Sequence, residues 1–225
     1  MNDKQRVAEH AASLITDGMT VGLGTGSTAN FFIEALARKI TEDDLQIKVV
    51  SSSVVSSIKA EELGLNLLSL EHIRQLDVYV DGADEVSPDL TLLKGRGSDL
   101  VREKLLAIAS TEFWVLIDES KRVERIGQNF AIPIEVMPFA WRLVQASLAK
   151  IGGTGKLRSN AAGDGLAVTA YGSLVLDTVF DASLSGSELN ERINAIPGVV
   201  EHGIFSRLAT AVFCGHEGRV QEQSI

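Results

Sequence analysis

Hydrophobic positions in the first half of the chain follow a helical and an extended pattern in turn. A spacing close to 3.6 residues predicts helices over 3–16, 28–40, 56–63 and 99–108. Short apolar runs between them predict strands at 20–23, 46–51, 66–68, 76–80 and 113–118. Strands that alternate with helices are typical of a parallel sheet covered on both faces. The pattern therefore predicts an α/β fold with a Rossmann-like parallel-sheet domain.

The pattern changes near Asn129 and predicts a second, smaller domain. The elements expected there are a strand at 131–136, a helix at 139–151, neighbouring strands at 157–158 and 166–169, a helix at 185–195 and a strand at 199–205. This order is that of a split βαβ, ferredoxin-like α+β domain. The apolar run at 210–213 is expected to return to the first sheet. We therefore predict a Rossmann-like catalytic domain formed by 1–129 plus 206–225, with a small α+β domain at 130–205.

Charge narrows the range of partners. The chain has 225 residues and a formal net charge of −9, whereas nonspecific nucleic-acid binding needs a basic surface. We therefore expect no nucleic-acid partner. A site for a phosphorylated ligand has to be basic locally, because the net negative charge of the protein repels phosphate. The histidines lack the spacing of metal ligands, and with a single cysteine nothing predicts a zinc site.

Composition also indicates a compartment. No segment approaches the ~20 apolar residues that cross a bilayer. The N-terminal segment is polar and has a helical pattern, unlike a signal peptide. Cys214 alone cannot form an internal disulfide and fits a reducing cytosol. We expect a cytoplasmic protein with no membrane partner.

A glycine-rich turn follows the first predicted strand. The segment VGLGTGST, residues 21–28, joins that strand to a helix, so free amide groups and the positive end of a helix dipole face the same place. Ser27 and Thr28 add hydroxyl donors. The turn predicts a cradle for a phosphate or carboxylate, although glycines also serve close packing at this point of α/β folds.

Three nucleotide sites fit this turn poorly. A dinucleotide site would have a glycine in place of Ser27 and an acid at the end of the second strand, where the chain has the serines 51–53. A methyl-donor site usually has an acid before the first glycine, where the chain has Val21. A Walker loop needs Gly-Lys-Ser/Thr, which is absent. The serines either bond ligand hydroxyls and phosphate oxygens or form a polar turn with a helix cap.

Three carboxylates, Asp81, Asp84 and Glu85, stand directly after the apolar run 76–80. Acids this close at the end of a buried strand repel one another and resist desolvation, so a functional use is favoured. A Mg²⁺ site on these acids is one interpretation. Lys94 counts against it, because an ammonium would compete for the same carboxylates.

Proton transfer on an anionic substrate is the other interpretation. Lys94 precedes a second glycine turn, Gly95-Arg96-Gly97, and Glu103 lies on the helix that follows. Abstraction of a proton beside a carbonyl needs a base and a positive group at the developing enediolate oxygen, and a carboxylate with a lysine supplies both. The alternative for Glu103 is a surface ion pair with Arg102 or Lys104.

A charged run, 118–122, follows the last strand of the first half. Lys121 in this run could complete an anion pocket from a neighbouring strand end. A solvated charge run is the simpler interpretation of such a segment. From these residues alone both remain open.

Six segments, taken together, resemble the type A ribose-5-phosphate isomerase family. In chain order they are VGLGTGST, SSSVVSS, YVDGADEV, LKGRGSDLVREKLLA, DESKRV and AIPIEVMP, and the likeness covers essentially the whole chain. The resemblance implies interconversion of ribose 5-phosphate and ribulose 5-phosphate through an enediolate, in the pentose phosphate pathway, with no metal and no cofactor. It also implies a Rossmann-like domain with a small α+β domain, and a homodimer or sometimes a homotetramer.

The resemblance assigns roles to the residues at matching positions. Glu103 corresponds to the proton-transferring base, and Lys94 to the lysine at the enediolate and hydroxyl oxygens. Asp81 and Asp84 correspond to acids that contact the sugar hydroxyls and assist ring opening. The residues assigned to substrate binding are Lys4, Thr25, Gly26, Ser27, Thr28, Gly82, Ala83, Gly95, Arg96, Gly97 and Lys121. Of these, Lys4 and Lys121 are expected at the phosphate.

The chain departs from the family's pattern at two points. Arg96 stands where many members have glycine or another residue, and Val54 with Val55 replaces a polar or small pair. Arg96 either adds an anion contact or points to solvent. Neither departure removes a proposed catalytic group.

Two other classes share part of the pattern. A sugar-phosphate-sensing domain of a transcriptional regulator has a similar glycine turn, but it normally follows a helix-turn-helix module, and about 20 residues before the turn are too few for one. A CoA-transferase-like enzyme shares the broad fold, but its catalytic glutamate would stand in a different loop.

Overall fold

The computed structural model describes residues 2–97, 99–181 and 183–224. Its helices are α1 (Asp3–Ser13), α2 (Ser27–Asp43), α3 (Val54–Glu62), α4 (Leu100–Ala109), α5 (Trp141–Ala149) and α6 (Gly186–Asn194). Its strands are β1 (Thr20–Leu23), β2 (Lys48–Ser51), β3 (Asn66–Leu67), β4 (Leu76–Gly82), β5 (Glu85–Val86), β6 (Leu92–Leu93), β7 (Ser110–Asp118), β8 (Ile132–Val136), β9 (Gly153–Leu157), β10 (Leu174–Phe180), β11 (Val199–His202), β12 (Ile204–Phe205), β13 (Ala211–His216) and β14 (Arg219–Ser224). Within the described ranges, no helix is both long enough and apolar enough to cross a membrane.

The chain forms two compact units. The first unit consists of 1–83, 102–121 and 208–225, and the second unit of 84–101 and 122–207. Segments 84–101, 122–129 and 206–207, expected in the larger domain, thus belong to the second unit. The reason is strand pairing, because β5 and β6 form a small sheet with β12. The predicted domain boundaries themselves remain a prediction.

The first unit is built on a seven-stranded sheet with the order β14-β13-β7-β4-β1-β2-β3. Every pair of neighbours is parallel except β13 with its hairpin partner β14. Helices α1 and α2 pack apolar side chains such as Val7, Phe32 and Leu36 against one face of this sheet, where they join the strand residues Val80 and Leu116 in one core. The predicted Rossmann-like parallel sheet is confirmed. Its hydrophobic strands are continuous apolar runs because they are covered rather than exposed to water.

The second unit contains a four-stranded antiparallel sheet with the order β11-β8-β10-β9. Apolar residues of β8 and β10 face the buried side chains of α5 and α6, including Val144, Leu148, Leu189 and Ile193. Numbered within this sheet alone, the strand order is 4-1-3-2, with one helix after the first strand and one before the last. The predicted split βαβ, ferredoxin-like arrangement is confirmed.

Two strand predictions in this unit are wrong. Residues 166–169 form only isolated bridges, and the strand that pairs with β9 is β10. Leu166 and Val168 are largely exposed, so their apolar character did not indicate a sheet position. The strand expected at 199–205 is interrupted at Gly203, where the chain passes from β11 to β12 in a different sheet.

Glu135 in β8 is a buried acid. Its neighbours Ile134 and Val136 pack against α5 and α6, so Glu135 lies on the other face of this sheet. Its side chain is fully buried, and Oε1 accepts a hydrogen bond from the Thr169 hydroxyl at 2.8 Å. Burial raises the pKa of Glu135, and the nearby carboxylates of Glu201 and Asp99 raise this pKa further, against hydrogen bonds from Thr169 and Ser173 that lower it.

We expect Glu135→Gln to stabilise the protein at neutral pH. The raised pKa means that the folded wild type holds its proton more tightly than the unfolded chain. The contribution of Glu135 to stability is therefore largest below its ordinary pKa of 4.5 and is lost as pH rises through the raised pKa. Glutamine does not titrate, so its advantage should be present at pH 7 and vanish below about pH 4.5. Urea unfolding of both proteins at several pH values measures the difference, and a gain independent of pH would contradict this account.

Candidate active site

The ends of the parallel strands bring several predicted residues to one edge of the first unit. Register places Leu23 of β1 beside Ser51 of β2 and Val80 of β4, and Gly82 beside Leu116 of β7. Each of these strands ends at this edge, where ligands bind in open α/β sheets. The glycine turn, the serine run and Asp81 all begin here, so the sequence motifs share one location within the unit.

The glycine turn and Asp81 are in direct contact. The Gly24 amide donates to the Val80 carbonyl at 2.9 Å, and the Thr25 amide donates to Asp81 Oδ1 at 3.1 Å. A Cβ atom on Gly24 would lie 2.1 Å from the same Oδ1. Only glycine therefore lets the turn approach the carboxylate this closely.

The serines after β2 hold the turn in place. Thr25 Oγ1 lies 2.8 Å from Ser52 Oγ and 2.7 Å from Ser53 Oγ. Ser53 also caps α3 by accepting from the Ser56 amide, while Ser56 Oγ donates to the Gly24 carbonyl at 2.6 Å. The serine run is thus both a helix cap and a support for the turn. Ser56 lies in the SSSVVSS segment, but the sequence assigned it no role.

The start of α2 forms the open side of the turn. Gly26 is the helix N-cap with φ of +112°, in the region that favours glycine, and as a glycine it offers no side chain to cap the helix. Gly26 and Ser27 are exposed, and Lys4 Nζ on α1 donates to Ser27 Oγ at 3.3 Å. Amide groups, hydroxyls and an ammonium therefore surround a place suited to an anion.

Glu103 lies in the first turn of α4 and is 5 % exposed. Glu103 therefore does not lie at the surface, because its carboxylate is removed from bulk water. The neighbouring Arg102 donates from Nη2 to the Ser51 carbonyl at 3.1 Å, which anchors the helix to the end of β2.

Tyr79 is a member of this edge that sequence reasoning missed. It is fully buried, stacks on Phe113 with ring centroids 4.9 Å apart, and donates its hydroxyl proton to Asp81 Oδ2. Burial raises the pKa of Tyr79, and the carboxylates of Asp81 and Glu103 raise this pKa further. Of the two acids, Asp81 bonds the phenol directly. The available signal was the spacing of two residues, which puts Tyr79 and Asp81 on the same face of β4.

In Tyr79→Phe the Asp81 carboxylate loses a buried hydrogen-bond donor. We expect this loss to lower the free energy of unfolding by about 1–2 kcal/mol and to lower the kcat of the isomerisation that the family resemblance implies by about 10-fold. Steady-state kinetics and urea unfolding measure the two effects. Tyr171→Phe is the matched control, since Tyr171 is 53 % exposed. Unchanged kcat in Tyr79→Phe would show that the phenol is only part of the core.

In the second unit, Glu85 has a structural task. Its carboxylate accepts the amide protons of Gly127 and Asn129, each at 2.6 Å, and of Phe130 at 3.0 Å. These bonds fix the loop before β8. They explain why Glu85, one of the three clustered acids, is present without any need for a metal. Over the ranges that the structure covers, no three His, Cys, Asp or Glu side chains are grouped so that they could hold a metal ion.

Lys94, Asp84 and Arg96 also belong to the second unit. Lys94 is 4 % exposed, with its ammonium 5.7 Å from the centre of the Phe205 ring. The Asp84 amide donates to the Leu93 carbonyl at 2.8 Å, so the acid is carried by the pairing of β5 and β6. Arg96 stacks over Phe130 at 4.0 Å and lies 3.8 Å from Asp84 Oδ1. Its guanidinium is therefore directed at a ring and an acid of its own unit.

The remaining predicted residues are placed by the ends of these elements. Gly82 ends β4, its amide donating to Asp81 Oδ1 at 2.7 Å, and Ala83 follows it in the first unit. Lys121, partly buried, ends a short 3₁₀ turn after β7 at the same strand edge. Gly95 and Gly97 flank Arg96 in the second unit.

Comparison with known proteins now identifies the family. The family described as ribose 5-phosphate isomerase A (phosphoriboisomerase A) matches residues 48–219. A ribose-5-phosphate isomerase A of Prochlorococcus marinus subsp. pastoris is 44 % identical over 214 residues, which is 94 % of this chain and 93 % of that protein. The enzyme of that name from Methanothermobacter thermautotrophicus is also 44 % identical, over 96 % of this chain and 94 % of its own.

Solved structures agree. Ribose 5-phosphate isomerase A from Methanocaldococcus jannaschii superposes with a TM-score of 0.93 at 37 % identity, covering 99 % of this chain and 98 % of that one. A D-ribose-5-phosphate isomerase in complex with phospho-erythronic acid gives a TM-score of 0.95 at 36 % identity and covers both chains completely. By family match, by identity along nearly its whole length and by fold, this chain belongs to the ribose 5-phosphate isomerase A family.

Proposed function

We propose that this protein interconverts D-ribose 5-phosphate and D-ribulose 5-phosphate, an aldose–ketose isomerisation of the non-oxidative pentose phosphate pathway. Asp81 and Asp84 exchange protons with the sugar hydroxyls and assist ring opening. Glu103 removes the proton from C2 of the open aldose, and the electron pair forms the C1–C2 double bond of an enediolate. The same carboxyl returns a proton to C1. The hydroxyl on C2 loses its proton and becomes the ketose carbonyl, while the oxygen on C1 takes up a proton and becomes a hydroxyl.

Lys94 stabilises the charge that develops on the enediolate and hydroxyl oxygens. A positioned base contributes about 10²–10⁴-fold and an electrostatic donor about 10²–10³-fold to such a step. Lys4, Lys121 and the turn from Thr25 to Thr28 bind the phosphate. Gly82, Ala83 and the Gly95-Arg96-Gly97 turn contribute further substrate contacts.

One observation carries this proposal: Glu103 is buried in the same unit in which Asp81 bonds both to Tyr79 and to the glycine turn. The burial of Glu103 removes its carboxylate from bulk water. The cradle supplies amide and hydroxyl donors for the far end of a phosphosugar. A base and a phosphate site in one unit are what the reaction requires.

A direct assay tests the function. The purified protein is incubated with ribose 5-phosphate, and ribulose 5-phosphate is measured by a coupled enzyme, with and without a chelator. We expect turnover that the chelator does not change. Absence of turnover would refute the isomerase function, and turnover abolished by the chelator would restore the metal-dependent interpretation.

We also propose that the enzyme is a cytoplasmic homodimer, or a homotetramer, as the family resemblance implies. Large exposed apolar side chains support self-association, since Val55 is 65 %, Phe139 85 % and Leu143 73 % exposed. Light scattering after size-exclusion chromatography gives the mass in solution. A mass of one chain, 24.1 kDa, would contradict this proposal.

A further inference from the structure

The backbone on the N-terminal side of the lysine turn is fixed by main-chain contacts within the second unit. The Lys94 amide donates to the Gly203 carbonyl at 2.8 Å, and the Gly203 amide donates to the Pro133 carbonyl at 2.8 Å. A Cβ atom on Gly203 would lie 2.2 Å from the Lys94 carbonyl oxygen. The backbone at Lys94 therefore lies directly against Gly203, the residue that joins β11 to β12.

The C-terminal side of the same turn is held by a side chain. Arg158 Nη1 donates to the carbonyl oxygens of Gly95 and Arg96, each at 3.2 Å, although it lies 63 residues beyond Gly95 in the chain. One guanidinium nitrogen thus binds two successive carbonyl groups directly after Lys94. Gly95 has φ of +92°, so this turn has a conformation that few other sequences would adopt on their own.

Arg158 is itself fixed in orientation by Asp177 of β10. Arg158 Nε donates to Asp177 Oδ2 at 2.9 Å, and Nη2 donates to Oδ1 at 2.6 Å. Both nitrogens point at one carboxylate, and this bidentate geometry restricts the plane of the guanidinium. The Arg158 amide also donates to the Val175 carbonyl at 2.9 Å, which holds its backbone beside β10.

An ordinary surface ion pair does not account for this arrangement. Exposed pairs contribute little because water screens them, but the Arg158 side chain is only 17 % exposed and Asp177 30 %. An ion pair that served stability alone would use Nε and Nη2 on Asp177 and would not need Nη1 to bond the carbonyl groups of the lysine turn. The bonds to Gly95 and Arg96 are what distinguish Arg158.

We propose that Arg158, oriented by Asp177, is a positioning residue that fixes the Lys94-Gly95-Arg96 turn and thereby the place of the Lys94 ammonium. The inference rests on the proposed isomerase function. Arg158 touches no reacting atom in this scheme and acts through the backbone that carries Lys94. Its loss therefore lowers kcat, because the donor to the enediolate is misplaced, while phosphate binding in the first unit keeps KM nearly constant.

The surroundings of Arg158 allow a chemical rescue. A cavity of about 310 Å³ is lined by Arg96, Phe130, Ala131, Arg158 and Asp177. A shortened side chain at position 158 enlarges this space and leaves the Asp177 carboxylate and two carbonyl groups facing it. Free guanidinium has the shape and charge to occupy that place.

The test compares wild type with Arg158→Ala, Arg158→Lys and Asp177→Asn in the isomerisation assay. We expect Arg158→Ala to lower kcat about 10–100-fold, as a misplacement near 1 Å does, with KM within about threefold. Arg158→Lys keeps the charge but cannot bind the carboxylate and both carbonyls together, so its kcat should be intermediate. Asp177→Asn should show a smaller fall. Arg192→Ala, an exposed arginine of α6 in the same unit, is the matched control and should retain kcat.

Guanidinium chloride, well below denaturing concentrations, should restore part of kcat in Arg158→Ala but not in Asp177→Asn, and sodium chloride at equal concentration should not. A merely structural arginine would lower the melting temperature without this rescue. If the wild type is active but Arg158→Ala has an unchanged kcat, or a lowered kcat that guanidinium does not restore, the positioning role alone is overturned. Inactive wild type overturns the isomerase function and this inference together.

Discussion

Glu103→Gln is expected to lower kcat by about 10²–10⁴-fold, the contribution of a positioned base. Glutamine keeps the shape of the side chain, which is 5 % exposed, but it cannot take a proton from carbon. The affinity for ribose 5-phosphate should stay within a few fold, because the phosphate cradle is unchanged. Steady-state kinetics and calorimetric titration of the variant with substrate separate the two quantities.

Isotope exchange makes the Glu103 test specific for proton transfer. In D₂O the wild type should incorporate deuterium at the carbon that receives the proton, while Glu103→Gln should incorporate almost none. Glu62→Gln, an exposed glutamate at the end of α3 in the same unit, is the matched control and should exchange normally. Near-normal turnover and exchange in Glu103→Gln would remove Glu103 from the role of base.

Local patterns in the sequence predicted the features that depend on near neighbours. The run Leu76–Val80 and the helical spacing after Thr28 each report burial of one segment, so β4 and α2 could be expected without knowledge of their partners. The glycine turn at the end of β1 likewise carries its function in its own backbone. The parallel sheet followed from the alternation of such segments.

Long-range pairing could not be predicted from the same signals. Strands β5 and β6 contain two residues each, too short for any periodicity, and they become strands only through pairing with each other and with β12. The exposed run at 166–168 consists of apolar residues, as a buried strand does. Periodicity records which residues are apolar, and it carries no information about which segment they meet.

The candidate site was predictable as a set of motifs but not as a set of contacts. Asp81 and Glu103 were identified by their positions in the motifs. Tyr79, Ser56 and Arg158 were missed because each acts on a residue rather than on a substrate, through bonds such as Ser56 to Gly24 that span 32 positions. Glu85 shows the converse, since an acid within the motif binds three amides of a loop about 40 residues away.

Gly24→Ala should be among the most damaging single-methyl changes in the first unit. The added Cβ would lie 2.1 Å from Asp81 Oδ1 and 2.2 Å from its Cγ, so either the carboxylate or the turn has to move. Gly24 lacks a positive φ, so collision and not backbone strain is the cause. A displacement near 1 Å costs about 10²-fold in rate, and overpacking costs about 1–3 kcal/mol of folding free energy.

A double-mutant cycle with Asp81→Ala measures the part of this collision that the Asp81 carboxyl group causes. Asp81→Ala removes Oδ1 and Cγ and leaves only Cβ, at 2.5 Å from the added methyl. Gly24→Ala should therefore destabilise the Asp81→Ala protein less than it destabilises the wild type, as measured by urea unfolding. Equal destabilisation in both backgrounds would place the clash elsewhere. Wild-type activity in Gly24→Ala would mean that the turn and the acid need not touch, and the close approach of cradle and carboxylate would then have no part in catalysis.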